Sequence, residues 1–145
     1  MTSSDKQRVV IVPCSGIGKS FGSVSREAAY EVCENLRPDD TRLVALSKLV
    51  LGDSEAREIV AHNPAVTIDG CKHMCAAKMV KQSGGTVARE VTVFDAFRQH
   101  KDLKPEGIAE LNEAGVKLAR VMAEDIAETV GQITGAEAAK GEHHA

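Results

Sequence analysis

Val9-Val10-Ile11-Val12, inside the run RVVIVP of residues 8–13, is β-branched and apolar with no polar position to alternate with. A strand of that kind has no face to offer water, so it predicts a parallel sheet covered on both sides. Residues 41–46 (TRLVAL), 65–69 (AVTID) and 86–94 (TVAREVTVF) supply three further strand-like segments. Helical signals lie between them. A Gly/Ser-rich loop at residues 14–23 leads into Val24, Ala28, Val32 and Leu36, which recur at helical spacing and stop before Pro38. Residues 54–61 read as a short helix closed by Pro64, and residues 71–83 as another, ended by Gly84-Gly85.

From Lys104 onward, Ile108, Leu111, Leu118, Met122 and Ile126 make an apolar stripe. Pro105 suits the first turn of this last helix, and Gly115 and Gly131 weaken it locally. The alternation of strand and helix predicts an α/β fold: a small open parallel sheet of about four strands, Rossmann-like or flavodoxin-like, with helices on both faces and a long C-terminal helix. One such domain is expected over residues 1–134, followed by a flexible tail at 135–145 rich in Ala, Gly and Glu. The last helix is expected to pack across the sheet, and its far end also suits a homodimer contact.

Composition narrows the function. Eighteen Lys and Arg against 21 Asp and Glu leave a net charge of -3, and aromatic residues are 3% of the chain with no Trp. Neither the cationic surface nor the stacking platform of a nucleic-acid binder is present. No apolar run is long enough to span a membrane, and the polar residues 1–8 do not resemble a signal peptide, so a cytoplasmic protein is expected. In that compartment the four cysteines are read as thiols, metal ligands or redox groups rather than disulfides.

Ligands of open parallel sheets sit beyond the carboxyl ends of the strands. Cys14 ends the first strand, and Asp69-Gly70-Cys71 ends the third, with Cys75 one turn further on. If those strands are neighbours, three sulfurs converge at one edge. On a helix covering residues 71–83, Cys71 and Cys75 share a face at i and i+4, near the positive end of the helix dipole that favours thiolates. Zinc is the metal such ligands suit, but its tetrahedral sphere needs a fourth donor. Cys33 lies too deep in the first helix and is assigned to packing; His73 points away from both cysteines, and His62 is at the wrong end of the sheet. Water or substrate is left for the fourth position.

The segment Ile68-Asp69-Gly70-Cys71-Lys72-His73-Met74-Cys75-Ala76-Ala77-Lys78, with Cys14-Ser15-Gly16 upstream, resembles the DGC family, named for its Asp-Gly-Cys motif. The resemblance covers roughly residues 8–95 and implies a zinc-binding protein with no established reaction. Members often carry a further cysteine near the end of strand 2, where this chain has Ala45-Leu46-Ser47-Lys48. A closed four-cysteine site is therefore not expected.

Other chemistry stays open. Pro13 to Ser20 (PCSGIGKS) nearly matches a phosphate-binding P-loop, with Pro13 in place of the first glycine. Gly16, Gly18 and Lys19 suit a small-anion loop in any case. Cys14 also suits the reactive thiol of a redox or oxyanion enzyme of the phosphatase or arsenate-reductase kind, although Lys19 and Ser20 stand where such phosphatases place an Arg. Asp69 is expected to cap the following helix or to hold a polar group at the edge, and Gly70 to permit a tight turn.

Overall fold

The computed structural model describes residues 8–14, 19–70, 72–107 and 110–135. Four strands, β1 (Val9–Pro13), β2 (Thr41–Leu43), β3 (Pro64–Asp69) and β4 (Thr86–Thr92), form one sheet in the order β2-β1-β3-β4. Every pairing is parallel. Among the described residues the α-helices are α1 (Ser20–Tyr30), α2 (Leu46–Leu51), α3 (Ser54–His62), α4 (Cys75–Gln82), α5 (Val93–Gln99) and α6 (Glu113–Thr134). A π-helical turn, Glu31–Leu36, prolongs α1, and its end is marked by the Arg37 amide bonding to the carbonyl of Val32 five residues back.

The unbroken apolar run of β1 is explained by what covers it. Val9 and Ile11 join Val66 and Ile68 in a core completed by Val24, Ala28 and Val32 of the first helix and Leu118, Met122, Ile126 and Val130 of α6. On the opposite face, Val10, Val12 and Ala65 meet Leu46, Leu49, Ala56, Val60, Ala76 and Val80 from α2, α3 and α4. The long last helix thus packs across the sheet. In β4 a bulge after the Ala65 to Val87 pairing shifts the register, so that Arg89 stands opposite Val66 and Val91 opposite Ile68.

Several expected boundaries move. Strand 2 stops at Leu43, and its last expected residue, Leu46, instead opens α2. Strand 4 stops at Thr92, whose hydroxyl caps α5 by accepting the Asp95 amide at 3.1 Å. The last helix begins at Glu113 rather than near Lys104. Asn112 Oδ1 accepts the Gly115 amide at 2.8 Å and the Glu106 amide at 3.0 Å, which ties the preceding loop to the helix start. Pro105 is therefore outside the helix, and a Cβ on Gly115 would lie 3.3 Å from the Pro105 Cβ and 2.9 Å from Asn112 Oδ1. Gly115 is a packing contact rather than a weak point. Of the expected tail only Gly135 is described, and it closes α6 in the left-handed region. Among the described residues, no helix is long and apolar enough to cross a membrane.

Candidate functional site

The strand order places β1 and β3 side by side while their connections diverge, β1 leading outward to β2 and β3 to β4. A crevice opens at such a switch point, beyond the carboxyl ends of the strands. Here it is a cavity of about 700 Å³. Cys14 enters it from the end of β1, Asp69 and Gly70 from the end of β3, and Lys72 and Cys75 from the turn and helix start that follow. Lys19, Ser20, Phe21 and Gly22 at the start of α1, Leu46 after β2 and Phe94 after β4 complete the wall. All four strands thus send residues to it from their carboxyl ends.

Cys14 continues the ladder: its amide donates to the Ile68 carbonyl at 2.8 Å. Its side chain is buried among Val12, Leu46 and Ala76. The Gly70 amide donates to Cys14 Sγ at 3.2 Å, and Ser25 Oγ lies 3.3 Å from the same sulfur. The Ser25 hydroxyl is also 2.7 Å from the Gly22 carbonyl. An N–H aimed at sulfur favours its anionic form, as an amide does at any developing negative charge.

Asp69 does what one of its two expected roles requires. Its Oδ1 accepts the Ala76 amide at 2.7 Å and its Oδ2 the Ala77 amide at 3.2 Å. These are orphan donors of the first turn of α4, so the carboxylate caps that helix from the end of β3. Burial pushes the Asp69 carboxyl above the ordinary carboxylate range; the two amide bonds oppose that shift, Glu90 adds to it and Lys78 opposes it.

The start of α4 corrects an expectation. Lys72 and His73 form a turn, Met74 takes the left-handed conformation at φ 55 and ψ 46, and the helix begins at Cys75. A left-handed non-glycine residue carries strain of about 1 kcal/mol. The helix expected over residues 71–83 is therefore described only from Cys75 to Gln82, and Cys71 lies outside the described residues. Cys75 is exposed at the first position of α4.

Gly70 has a different role from the one expected. Its φ is not positive, so no special turn demands glycine. A Cβ there would instead stand 3.3 Å from the Gly22 amide nitrogen and 3.3 Å from the Phe21 carbonyl carbon. The close approach of β3 to the first turn of α1 is what excludes a side chain.

Of the expected metal ligands, Cys14 and Cys75 line one cavity, and Cys71 lies outside the described residues. Of the expected anion loop, Lys19 lines the cavity, while Gly16 and Gly18 lie outside the described residues. Cys33 is half-buried against the core of the α1 face and does not line the cavity. His73 is exposed in the turn before α4, and His62 sits on the surface with its ring nitrogen 3.1 Å from the Glu58 carbonyl. Among the described residues, no group of three or more His, Cys, Asp and Glu is arranged to hold a metal ion. Both Asp69 oxygens accept helix amides, one from Ala76 and one from Ala77. Sequence reasoning missed Ser25, Lys72, Leu46 and Phe94; the last two lie within three residues of the carboxyl ends of β2 and β4, the signal that could have found them.

A family model described as the DGC domain matches residues 10–115. No curated protein and no solved structure matches the chain.

Proposed function

The chain belongs to the DGC-domain family, and from that premise we propose that it binds zinc through the thiolates of Cys14, Cys71 and Cys75, in a binding or accessory role. One observation carries this: Cys14 and Cys75, distant in sequence, line the same cavity, and so do Gly70 and Lys72, the two chain neighbours of Cys71. The donor chemistry suits the ion. Thiolates favour zinc over hard cations, and the Gly70 amide supports negative charge on Cys14 Sγ. Three thiolates leave one position of a tetrahedral ion for water or a ligand, and zinc bound there would act as a Lewis acid. Ser25 holds the Cys14 side chain in place, and Asp69 fixes the helix that carries Cys75.

Elemental analysis of the untagged protein tests this. About one zinc per chain is expected, with loss of the metal in Cys71→Ser and in Cys14→Ser. Metal-free protein with a rapidly alkylated Cys14 would overturn it. That result would favour a cysteine-dependent redox or oxyanion enzyme, a reading supported by one observation, that Lys19 lines the cavity together with Cys14.

A further inference from the structure

The cavity has a second character that the thiols do not use. Phe21, Leu46 and Phe94 give it apolar walls, and two lysines, Lys19 and Lys72, stand in its lining. Phe21 is held as a wall by an edge-on contact with Phe97, ring centroids 5.8 Å apart. Phe94 is 51% exposed, although it follows a buried Val93 and lines a concave site. An aromatic ring left in water at the rim of a cavity is the side chain a ligand's hydrocarbon would cover. The Arg98 guanidinium, which also pairs with Asp95 at 3.7 Å, lies 5.8 Å from the centroid of that ring.

Among the described residues, neither Lys19 nor Lys72 forms an ion pair. The carboxylate in the wall, Asp69, is turned to the amides of Ala76 and Ala77. The volume of about 700 Å³ is that of a small-molecule site. We infer that this cavity takes a small organic anion with an apolar body, its acidic group at Lys19 and Lys72 and its hydrocarbon against Phe21, Leu46 and Phe94. This rests on the same cavity being the functional site, but not on the metal: the walls and the lysines are present whether or not the thiols are loaded. An anion without a hydrocarbon would leave Phe94 in water, and a neutral aromatic would leave two cations without a counter-charge.

Naphthalene-2-carboxylate is a suitable probe, with naphthalene-2-carboxamide and acetate as comparators, titrated into the full chain by calorimetry and by amide chemical-shift mapping. The carboxylate is expected to shift the Gly22, Gly70 and Phe94 amides and to bind roughly tenfold tighter than the carboxamide, the scale of one or two partly solvated charge contacts. Acetate is expected to bind more weakly than either. K19M/K72M, both at exposed positions, should remove the preference for the carboxylate, and Phe94→Ser should weaken both aromatics alike. Equal binding of carboxylate and carboxamide, an unchanged preference in the lysine double variant, or shifts confined to other surfaces would each overturn the inference. Zinc content of the same samples separates the two proposals. Metal-free protein that binds the carboxylate as described upholds the anion site and overturns the zinc reading; zinc-loaded protein that does not bind the probe does the reverse.

Discussion

The backbone amide of Gly70 points at the sulfur of Cys14 across 56 residues of sequence, at 3.2 Å. This contact joins the ends of two neighbouring strands at the point where the chain turns to opposite sides of the sheet. It also couples the first turn of α1 to the site, because Gly70 lies against Phe21 and Gly22 and Ser25 lies against Cys14. The thiol is thus a structural acceptor as well as a candidate ligand, and the two roles can be separated by substitution.

Cys14→Ala removes the acceptor and leaves the buried Gly70 amide without it. The expected loss is about 1 to 3 kcal/mol of unfolding free energy, the usual cost of an orphaned buried donor. Cys14→Ser keeps an acceptor and should lose less, yet it should lose the metal as fully as the alanine variant does. Urea unfolding alongside elemental analysis reads both. Equal destabilisation by the two substitutions would show that the amide contact contributes little.

Gly70→Ala tests the close approach of β3 to α1. The new Cβ would sit 3.3 Å from two backbone atoms of Phe21 and Gly22, neither of which can rotate away. A loss of roughly 1 to 2 kcal/mol is expected from overpacking, with shifted amide resonances at Phe21, Gly22 and Ser25. A variant as stable as the parent, with those resonances unmoved, would mean that the contact is slack.

Much of this arrangement is legible in the sequence, for identifiable reasons. The run of β1 has apolar residues at both parities because cores lie on both faces of the sheet, and that signal survives without knowledge of the helices. The thiols of Cys14 and Cys75 are placed at one edge by topology alone. What escapes is local. Met74 turns left-handed with no Gly or Asn to announce it, and α4 takes its cap from Asp69 at the end of β3, not from its own N-cap residue. Leu46 opens α2 with Ala45 at its N-cap and no capping side chain. At α5 the signal was present, Thr92 with Asp95 three residues on, but the alternating valines of β4 concealed it. Leu111 fits the apolar stripe of α6, yet the side chain of Asn112 starts the helix after it.

Arg37 carries a buried ionic contact that holds the end of the first helix to α6 and to the turn before β2. Its side chain is almost fully buried; Nη1 lies 3.1 Å from Asp40 Oδ2, and Nε donates to the Ala127 carbonyl at 3.1 Å. Arg37→Met removes the guanidinium from beside the mostly buried Asp40 carboxylate, and about 3 to 5 kcal/mol should be lost. R37M/D40N, which removes that charge as well, should recover part of the loss. A double variant no more stable than Arg37→Met would place the cost in the lost Ala127 bond and packing instead of the charge.

Cys33 supplies a pH dependence that does not involve the candidate site. Burial pushes its thiol above the ordinary value of 9.0; a hydrogen bond with the Thr41 side chain opposes the shift, and the charge of Glu34 adds to it. The sign follows from proton counting. Below that value both folded and unfolded chains keep the proton, so stability is unaffected by this group. As pH rises through 9.0 the unfolded chain releases the proton first, while the folded chain still holds it, so unfolding becomes more favourable until the folded thiol also ionises. Urea midpoints measured from about pH 7 to about pH 10 should therefore fall more steeply for the parent than for Cys33→Ser, which has no proton to lose in that range. Iodoacetamide labelling read by mass spectrometry should show the same ordering, with exposed Cys75 modified well before half-buried Cys33 in metal-free protein. Parallel pH profiles for parent and Cys33→Ser would show that this thiol ionises alike in the folded and unfolded chains.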